Sequence, residues 1–243
     1  MANLKTFITQ GIVLRSSDYH DSDKIVSILS PDLGLISAKL KGVRQANAKL
    51  KFTALPFCYA QFELVERGQN LSVMSATEIE SFFGITVDYH KFVYAACCIE
   101  LSEMISPTLE NPSVLFTALI KALHTLRFDT CKAGLVFLRF ALGVFKITGY
   151  QFNLQFCARC GQELVNPFWA HHTGAFICEN CAGFGDKDLS RELFDTIATI
   201  TKLDFDDLND IEFDADTEKE SCALVQRNCE LHFIRLNSLK QMI

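Results

Sequence analysis

The stretch KIVSILSPDLGLISAKLK, residues 24–41, decides the fold of the first part of the chain. Apolar and polar residues alternate on both sides of its centre, and a period of two is typical of half-buried β-strands. The centre itself, Pro31 to Gly34, contains the turn-forming residues Pro, Asp and Gly. The stretch therefore predicts two consecutive strands, at residues 24–29 and 33–41, that are joined by a tight turn.

The same alternation continues on both sides of this pair of strands. It predicts three further strands at residues 7–15, 57–66 and 71–78. Five short strands in about 75 residues are too few for a large sandwich and suit a small closed barrel of the OB type. We therefore assign residues 1–80 to an OB-type β-barrel domain.

From about residue 88 onward the apolar pattern takes the period of a helix. It predicts a helix that ends near Pro107, two more at residues 111–128 and 130–148, and two closing helices at residues 189–203 and 217–242 around an acidic loop. The predicted fold class is α+β, with the barrel followed by an all-helical domain. That domain comprises residues 81–150 and 186–243, and residues 151–185 form an insertion in it.

Two Cys-x2-Cys pairs, separated by 17 residues, lie in the insertion: Cys157, Cys160, Cys178 and Cys181. This spacing is typical of zinc sites. Four thiolates complete a tetrahedron and leave no open position, so the expected zinc is structural. His171 and His172 lie between the pairs, and either could replace a cysteine. A metal-free set of buried thiols, and a zinc hydrolase with an open position at a histidine, are the alternatives.

Residues 39–51 carry five positive charges and no negative one: Lys39, Lys41, Arg44, Lys49 and Lys51. Alternation places Lys39 and Lys41 on the strand face opposite Ala38 and Leu40. Three aromatic residues follow closely and could stack on bases, as in barrels that bind single strands: Phe52, Phe57 and Tyr59. The segment indicates either a nucleic-acid interface or a solvated edge whose lysines prevent pairing between edges.

A second set of cations recurs every seven residues along the third helix: Lys132, Arg139 and Lys146. They share one side of a helix that is otherwise apolar. One interpretation is a groove for a peptide that is both acidic and apolar. The simpler interpretation is a solvent-exposed stripe, in which the aliphatic parts of the three side chains pack on the core and their charged groups stay in water.

Composition and charge exclude several classes of protein. With 49% apolar and 21% charged residues among 243, the chain is globular rather than disordered. Its net charge of −6 argues against a protein that coats nucleic acid over its whole surface. The acidity is local, however, because residues 1–80 carry a charge of +1 and residues 186–220 a charge of −9.

Signals for membranes, export and turnover are also missing from the sequence. The most apolar segment, residues 133–145, carries Arg139 at its centre and is shorter than the roughly 20 residues that a bilayer requires. The first ten residues lack a basic stretch followed by an apolar run, so we expect a cytoplasmic location and reduced thiols. The chain contains no phosphate-binding, dinucleotide, zinc-protease or serine-hydrolase motif, which predicts that it is not an enzyme.

Several motifs occur in a characteristic order along the chain: GIVLR at 11–15, DKIV at 23–26, LSPDLGL at 29–35, AKLKGVR at 38–44, FLRF at 137–140, TGY at 148–150 and CARCG at 157–161. In this order and spacing the chain resembles the RecO family of bacterial recombination mediators. The resemblance implies an OB barrel, a helical domain and a zinc-binding insertion.

The resemblance also implies a function and partners. Proteins of this kind bind single- and double-stranded DNA, anneal complementary strands and, with RecR, help to load RecA onto DNA coated by single-strand-binding protein, with RecF as a further partner. We accordingly expect a nucleoid-associated protein that binds DNA mainly through its barrel. Arg15 and Lys24 are assigned to the same surface as residues 39–51.

The sequence therefore leaves two functional classes open. In the first, the barrel binds DNA, and the stripe of Lys132, Arg139 and Lys146 receives the acidic, Phe-ended tail of single-strand-binding protein, as the resemblance implies. In the second, the protein is a zinc adaptor that acts only through protein contacts and never touches DNA.

Overall fold

The computed structural model describes residues 5–68 and 70–242. The chain divides into two compact units. The first is formed by Met1–Tyr89 and Ser102–Arg127, and the second by His90–Leu101 and Phe128–Ile243. The barrel belongs to the first unit, and most of the helices and the four-cysteine insertion belong to the second.

Five strands form the barrel: β1 (Lys5–Tyr19), β2 (Asp23–Ser30), β3 (Gly34–Leu40), β4 (Cys58–Arg67) and β5 (Asn70–Ser81). They close in the order β1-β2-β3-β5-β4, and β4 pairs back onto β1. All neighbours are antiparallel except β3 and β5, which pair in parallel at Ala38 and Leu71. The predicted OB-type barrel and its five strands are confirmed.

The barrel core follows from the alternation in the sequence. Ala38 and Leu40 on β3 point inward with Val26 and Ile28 of β2, while Ser37, one position before Ala38, is exposed. Strand β1 approaches β2 so closely at Gly11 that a Cβ there would lie 2.4 Å from Cγ2 of Ile28. Only glycine fits such an approach, so this position allows the barrel to close tightly.

Two helices accompany the barrel in the chain. A 3₁₀ segment, Phe82–Val87, leads into α1 (Tyr89–Ile105), and α2 (Pro112–Phe128) follows. Pro112 is the first residue of α2, where its missing N–H leaves no hydrogen bond unmade. Phe116 of α2 packs edge-on against Tyr59 of β4, with ring centroids 5.8 Å apart. The aromatic contact joins α2 to the barrel wall.

The second unit contains α3 (Ala133–Ile147), α4 (Arg191–Ile200) and α5 (Ala215–His232). Ser190 caps α4 by accepting the N–H of Leu193, and Asp214 caps α5 by accepting the N–H of Thr217 at 2.7 Å. Each side chain satisfies a backbone donor that the first helical turn leaves free. These caps explain why both helices begin where they do.

The last helix is shorter than the sequence predicts. Helix α5 ends at His232 instead of continuing to residue 242, and a 3₁₀ turn forms at Ser238–Gln241. The carboxylate of Glu100 accepts the backbone N–H groups of Asn237 at 2.8 Å and Ser238 at 2.9 Å. These bonds to another helix replace the intrahelical bonds that a longer α5 would need.

The insertion is a small sheet with irregular segments around it. Its strands are β6 (Pro167–Ala170), β7 (Ala175–Cys178) and β8 (Lys187–Asp188), in the order β7-β6-β8. Within the described residues, no helix has both the length and the apolar character needed to cross a bilayer.

Candidate metal centre and nucleic-acid interface

The two Cys-x2-Cys pairs come together in the insertion. The sulfur atoms of Cys157, Cys160, Cys178 and Cys181 all lie within 4.8 Å of one another. The sulfurs of Cys160 and Cys178 are 3.7 Å apart, which matches the edge of about 3.8 Å in a tetrahedron with metal–sulfur bonds of about 2.3 Å. The group can therefore hold a metal ion, as the spacing predicts.

Backbone geometry prepares the first pair for metal binding. Gly161 donates its N–H to the carbonyl of Cys157 at 2.9 Å, and Arg159 donates its N–H to the Cys157 sulfur at 3.4 Å. Burial raises the pKa of the Cys157 thiol, but the N–H groups of Cys178, Cys160 and Arg159 together outweigh it and lower the pKa to about 6. A thiolate is the form that binds a metal, so these N–H groups favour the ligand state of Cys157.

Arg159 links the two pairs from outside the sulfur cluster. Its Nη1 donates to the carbonyl oxygen of Cys181 and lies 3.0 Å from Oδ2 of Asp186. Asp186 in turn accepts the N–H of Gly183 at 2.9 Å. One side chain from the first knuckle thus fixes the loop that follows the second, an outer contact of the kind that orients metal ligands.

Aromatic packing supports the insertion from the other side. Phe152, Trp169 and Phe176 contact one another with ring centroids 5.2 to 5.4 Å apart. Phe176 also contacts Phe194 of α4 at 5.4 Å. The insertion therefore buries apolar surface of its own against the helical unit, in addition to what a bound metal contributes.

The two histidines between the pairs are not part of the sulfur cluster. Among the described residues, the group that could hold a metal consists of the four cysteines only. The carbonyl of His171 accepts a hydrogen bond from Nε of Arg227 at 2.9 Å. Burial lowers the pKa of the His171 ring, and the positive charges of Arg227 and Lys187 lower it further.

The barrel edge brings the predicted DNA-binding cations close to carboxylates. Asp18 lies 3.2 Å from Lys24 and 3.5 Å from Arg44. Lys39 lies 2.8 Å from Asp23. By sequence, residues 39–51 form a run of uncompensated positive charge. In the fold, two of the five cations have an acidic partner from the β1–β2 region.

Arg15 also has an acidic partner, in Glu103 of α1 at 3.2 Å. The remaining three cations are exposed and make no ion pair within the part of the chain that the structure describes: Lys41, Lys49 and Lys51. Lys51 donates to the carbonyl of Ala46 at 2.6 Å, a bond that holds the loop without neutralising the charge. The free positive charge of the edge is thus concentrated in the loop after β3.

The expected stacking residues are mostly engaged elsewhere. Phe57 is only 4% exposed, Phe52 packs against the barrel core, and the Tyr59 hydroxyl donates to Gln10 Oε1 at 2.6 Å. The expectation for Phe57 is wrong, because this residue is buried immediately before β4 begins. Exposed rings lie instead at Tyr19 and His20, beside Lys39. The sequence signal for them is an aromatic pair in the segment between the predicted strands 7–15 and 24–29.

The helical stripe does not lie on one open surface. Lys132 and Lys146 are exposed, but Arg139 is half-buried, and its Nε donates to the carbonyl of Leu203 at 2.8 Å. Its guanidinium lies 5.3 Å from the centroid of the buried Phe205 ring. Burial lowers the pKa of Arg139, and the charge of Asp204 opposes this effect. Arg139 therefore anchors the acidic segment after α4.

Comparisons with known proteins agree with this architecture. The model of the recombination protein O N-terminal domain matches residues 1–83, and that of the C-terminal domain matches residues 87–240. A DNA repair protein RecO from Frankia casuarinae is 28% identical over 200 residues, which cover 81% of this chain and 82% of the relative. A DNA repair protein RecO from Dehalococcoides mccartyi is 30% identical over 178 residues, which cover 72% of this chain and 70% of the relative.

The matched residues include the barrel with its cationic loop as well as the insertion with its four cysteines. A further DNA repair protein RecO, from Caldicellulosiruptor bescii, is 25% identical over 209 residues, which cover 86% of this chain and 85% of the relative. The two domain models follow each other without overlap and span nearly the whole chain. The chain belongs to the RecO family of DNA repair proteins.

Proposed function

We propose that this protein is a non-catalytic mediator of DNA recombination that binds single- and double-stranded DNA through its barrel. Three exposed cations without a carboxylate partner among the described residues carry the proposal: Lys41, Lys49 and Lys51. Their charge attracts any phosphate backbone and reads no base sequence. Membership of the RecO family supports a role in DNA repair.

The proposed mechanism is electrostatic annealing. Two single strands repel each other through their phosphates, and cations placed between them reduce that repulsion. Complementary bases can then sample pairing while both strands stay on the protein. No covalent bond is made or broken in this step, so this protein itself consumes no nucleotide.

The proposed metal in the insertion is zinc. Four cysteine sulfurs at tetrahedral spacing form a donor set that suits zinc, and a closed set of four ligands supplies structure rather than chemistry. Cys157, Cys160, Cys178 and Cys181 would hold the ion. The residues around them fix the loops, with Arg159 bonded to the carbonyl of Cys181.

Partners complete the proposed role. We propose that the protein acts with RecR, and with RecF as a further partner, to load RecA onto DNA coated by single-strand-binding protein. We also propose that it is cytoplasmic and associated with the nucleoid. For the acidic tail of single-strand-binding protein, Lys132 and Lys146 remain the exposed candidates, since the guanidinium of Arg139 is bonded to Leu203.

A zinc adaptor without DNA contact is the second candidate function. The observation that favours it is the pairing of four predicted DNA-binding cations with carboxylates: Arg15, Lys24, Lys39 and Arg44. Ion pairs of this kind reduce the charge that is available to phosphates. An adaptor would keep its protein contacts after the barrel cations are reversed.

The two candidates are separated by charge reversal at Lys41 and Lys49, which are exposed and make no ion pair with the described residues. The double variant Lys41→Glu/Lys49→Glu should lose strand annealing and retain the thermal stability of the unaltered protein. The matched control, Lys202→Glu/Lys219→Glu, changes the net charge equally on exposed positions of the second unit. Annealing that survives in the barrel variant would favour the adaptor.

A further inference from the structure

The turn between β1 and β2 is tied to the cationic loop by two hydrogen bonds. Arg44 donates its backbone N–H to the carbonyl of Ser22 at 2.9 Å and its Nη1 to the carbonyl of His20 at 3.3 Å. His20 has a φ of 52°, in the left-handed region that non-glycine residues rarely adopt. The bonds from Arg44 hold the backbone of the turn in this conformation.

Two aromatic rings project from this fixed turn. The ring centroids of Tyr19 and His20 are 4.1 Å apart at an interplanar angle of 62°. The ammonium of Lys39 lies 4.7 Å from the centroid of the Tyr19 ring. Tyr19 remains 38% exposed, and His20 is exposed as well. We name Tyr19 and His20 the aromatic ledge.

The two cations beside the aromatic ledge are already paired with carboxylates. Lys39 is paired with Asp23 at 2.8 Å, and Arg44 with Asp18 at 3.5 Å. Lys39 contacts the ring of Tyr19, and Arg44 binds the carbonyl of His20. Because both cations are paired, they attract phosphates less strongly than the unpaired lysines of the loop after β3. The surface that the ledge adds to the barrel is therefore aromatic rather than electrostatic.

We infer that the aromatic ledge stacks an unpaired nucleobase and gives the barrel a preference for single-stranded over duplex nucleic acid. This inference rests on the proposed DNA binding by the barrel. Every base offers a flat π surface, so stacking needs no particular sequence, but a base in a duplex is already stacked on its neighbours. Free lysines contact phosphates of either form, whereas the ledge contacts the single strand only.

The test uses full-length protein and fluorescence anisotropy of a labelled oligonucleotide, single-stranded or annealed to its complement, at one salt concentration. Tyr19→Ala and His20→Asn each remove one ring. Asparagine tolerates the left-handed backbone, so the second variant keeps the turn unstrained. Each should weaken single-strand binding by at least about fivefold and change duplex binding less than about twofold, since one stacked base is worth about 1–3 kcal/mol.

Two controls accompany these variants. Tyr19→Phe keeps the ring and should retain single-strand affinity. Tyr150→Ala removes another exposed tyrosine, which stacks on His232 with centroids 4.1 Å apart in the second unit, and should change neither affinity.

Each outcome bears on a different claim. Equal losses on single strands and duplexes would mean that the ring only supports the cations, and unchanged binding to both would mean that it contacts no DNA. Either result overturns the stacking inference. If the unaltered protein binds neither DNA form, the proposed function itself fails, and the ledge fails with it.

Discussion

The ammonium of Lys39 lies 2.8 Å from Oδ2 of Asp23, and Oδ1 of the same carboxylate accepts the N–H of Gly42 at 2.7 Å. One side chain at the start of β2 thus holds the end of β3 and the second residue of the loop that follows it. The bond from Lys39 and the N–H of Gly42 lower the pKa of Asp23 to about 2. Asp23 therefore stays ionised at any physiological pH.

This pKa predicts how the stability of the barrel responds to acid. A depressed carboxyl pKa contributes stability that is fully present above the unfolded value of about 3.9 and is lost as the pH falls through about 2. The melting temperatures of the unaltered protein and Asp23→Asn should differ by a constant amount from pH 7 to about 4. The difference should then shrink between pH 4 and 2. A difference that vanishes already at pH 5 would contradict the ion pair.

Removing the charge of Asp18 should strengthen DNA binding. Asp18 lies within 3.5 Å of both Lys24 and Arg44, and its side chain is 57% exposed. Asp18→Asn frees two cations for phosphates, and each new single-strand contact steepens the log-log salt dependence by about 0.7. We expect an affinity several-fold higher at low salt and a slope steeper by up to about 1.4, measured by anisotropy.

The matched control for Asp18→Asn is Glu78→Gln, which removes an exposed negative charge from β5. Glu78 makes no ion pair with the seven assigned cations. An equal gain in both variants would mean that only the net charge matters, and the two ion pairs of Asp18 would then have no specific effect.

Loss of one sulfur ligand should release the metal and destabilise the second unit. Cys160→Ser should contain well below one zinc per chain by elemental analysis and melt at a lower temperature, because structural zinc contributes on the order of 10 kcal/mol. Cys131→Ser, at a buried cysteine outside the cluster, should keep its zinc. Full zinc content in Cys160→Ser would contradict a closed site of four sulfurs.

Arg139 should behave as a structural residue. Its Nε bonds to the Leu203 carbonyl at 2.8 Å beside the buried Phe205 ring. Arg139→Ala should lower the free energy of unfolding by about 1–3 kcal/mol, since the carbonyl of the half-buried Leu203 loses a charged donor. Lys146→Ala, at an exposed position of the same helix, should change it by less than about 0.5 kcal/mol. Equal effects in chemical denaturation would contradict this assignment.

Local patterns account for what the sequence predicts well. Each barrel strand lies within a few residues of its predicted bounds, because alternation and turn residues such as Pro31 and Gly34 act over short distances. Spacing alone identifies the four cysteines as a ligand set, since each knuckle is itself a local structure. The sequence pattern does not reveal the end of α5, because the residue that binds Asn237 and Ser238 is Glu100, more than a hundred residues earlier.

Contacts between distant residues account for the rest. Asp18 and Asp23 precede the cationic segment by some twenty positions, and only the strand register brings them to Arg44 and Lys39. By sequence, Arg139 is one member of a surface stripe. In the fold, its guanidinium donates a hydrogen bond to the carbonyl of Leu203. In both cases the sequence identifies the charged residue, but only the fold identifies its partner.

The central claim is that the barrel holds DNA through the free cations of its loop. The most direct measurement is the affinity of the unaltered protein for a labelled single strand between 50 and 200 mM salt. Three phosphate contacts, from Lys41, Lys49 and Lys51, predict a log-log slope of about −2, and engagement of Lys39 and Arg44 as well predicts about −3.5. A slope between these values supports the account, and the absence of salt-dependent binding would contradict it.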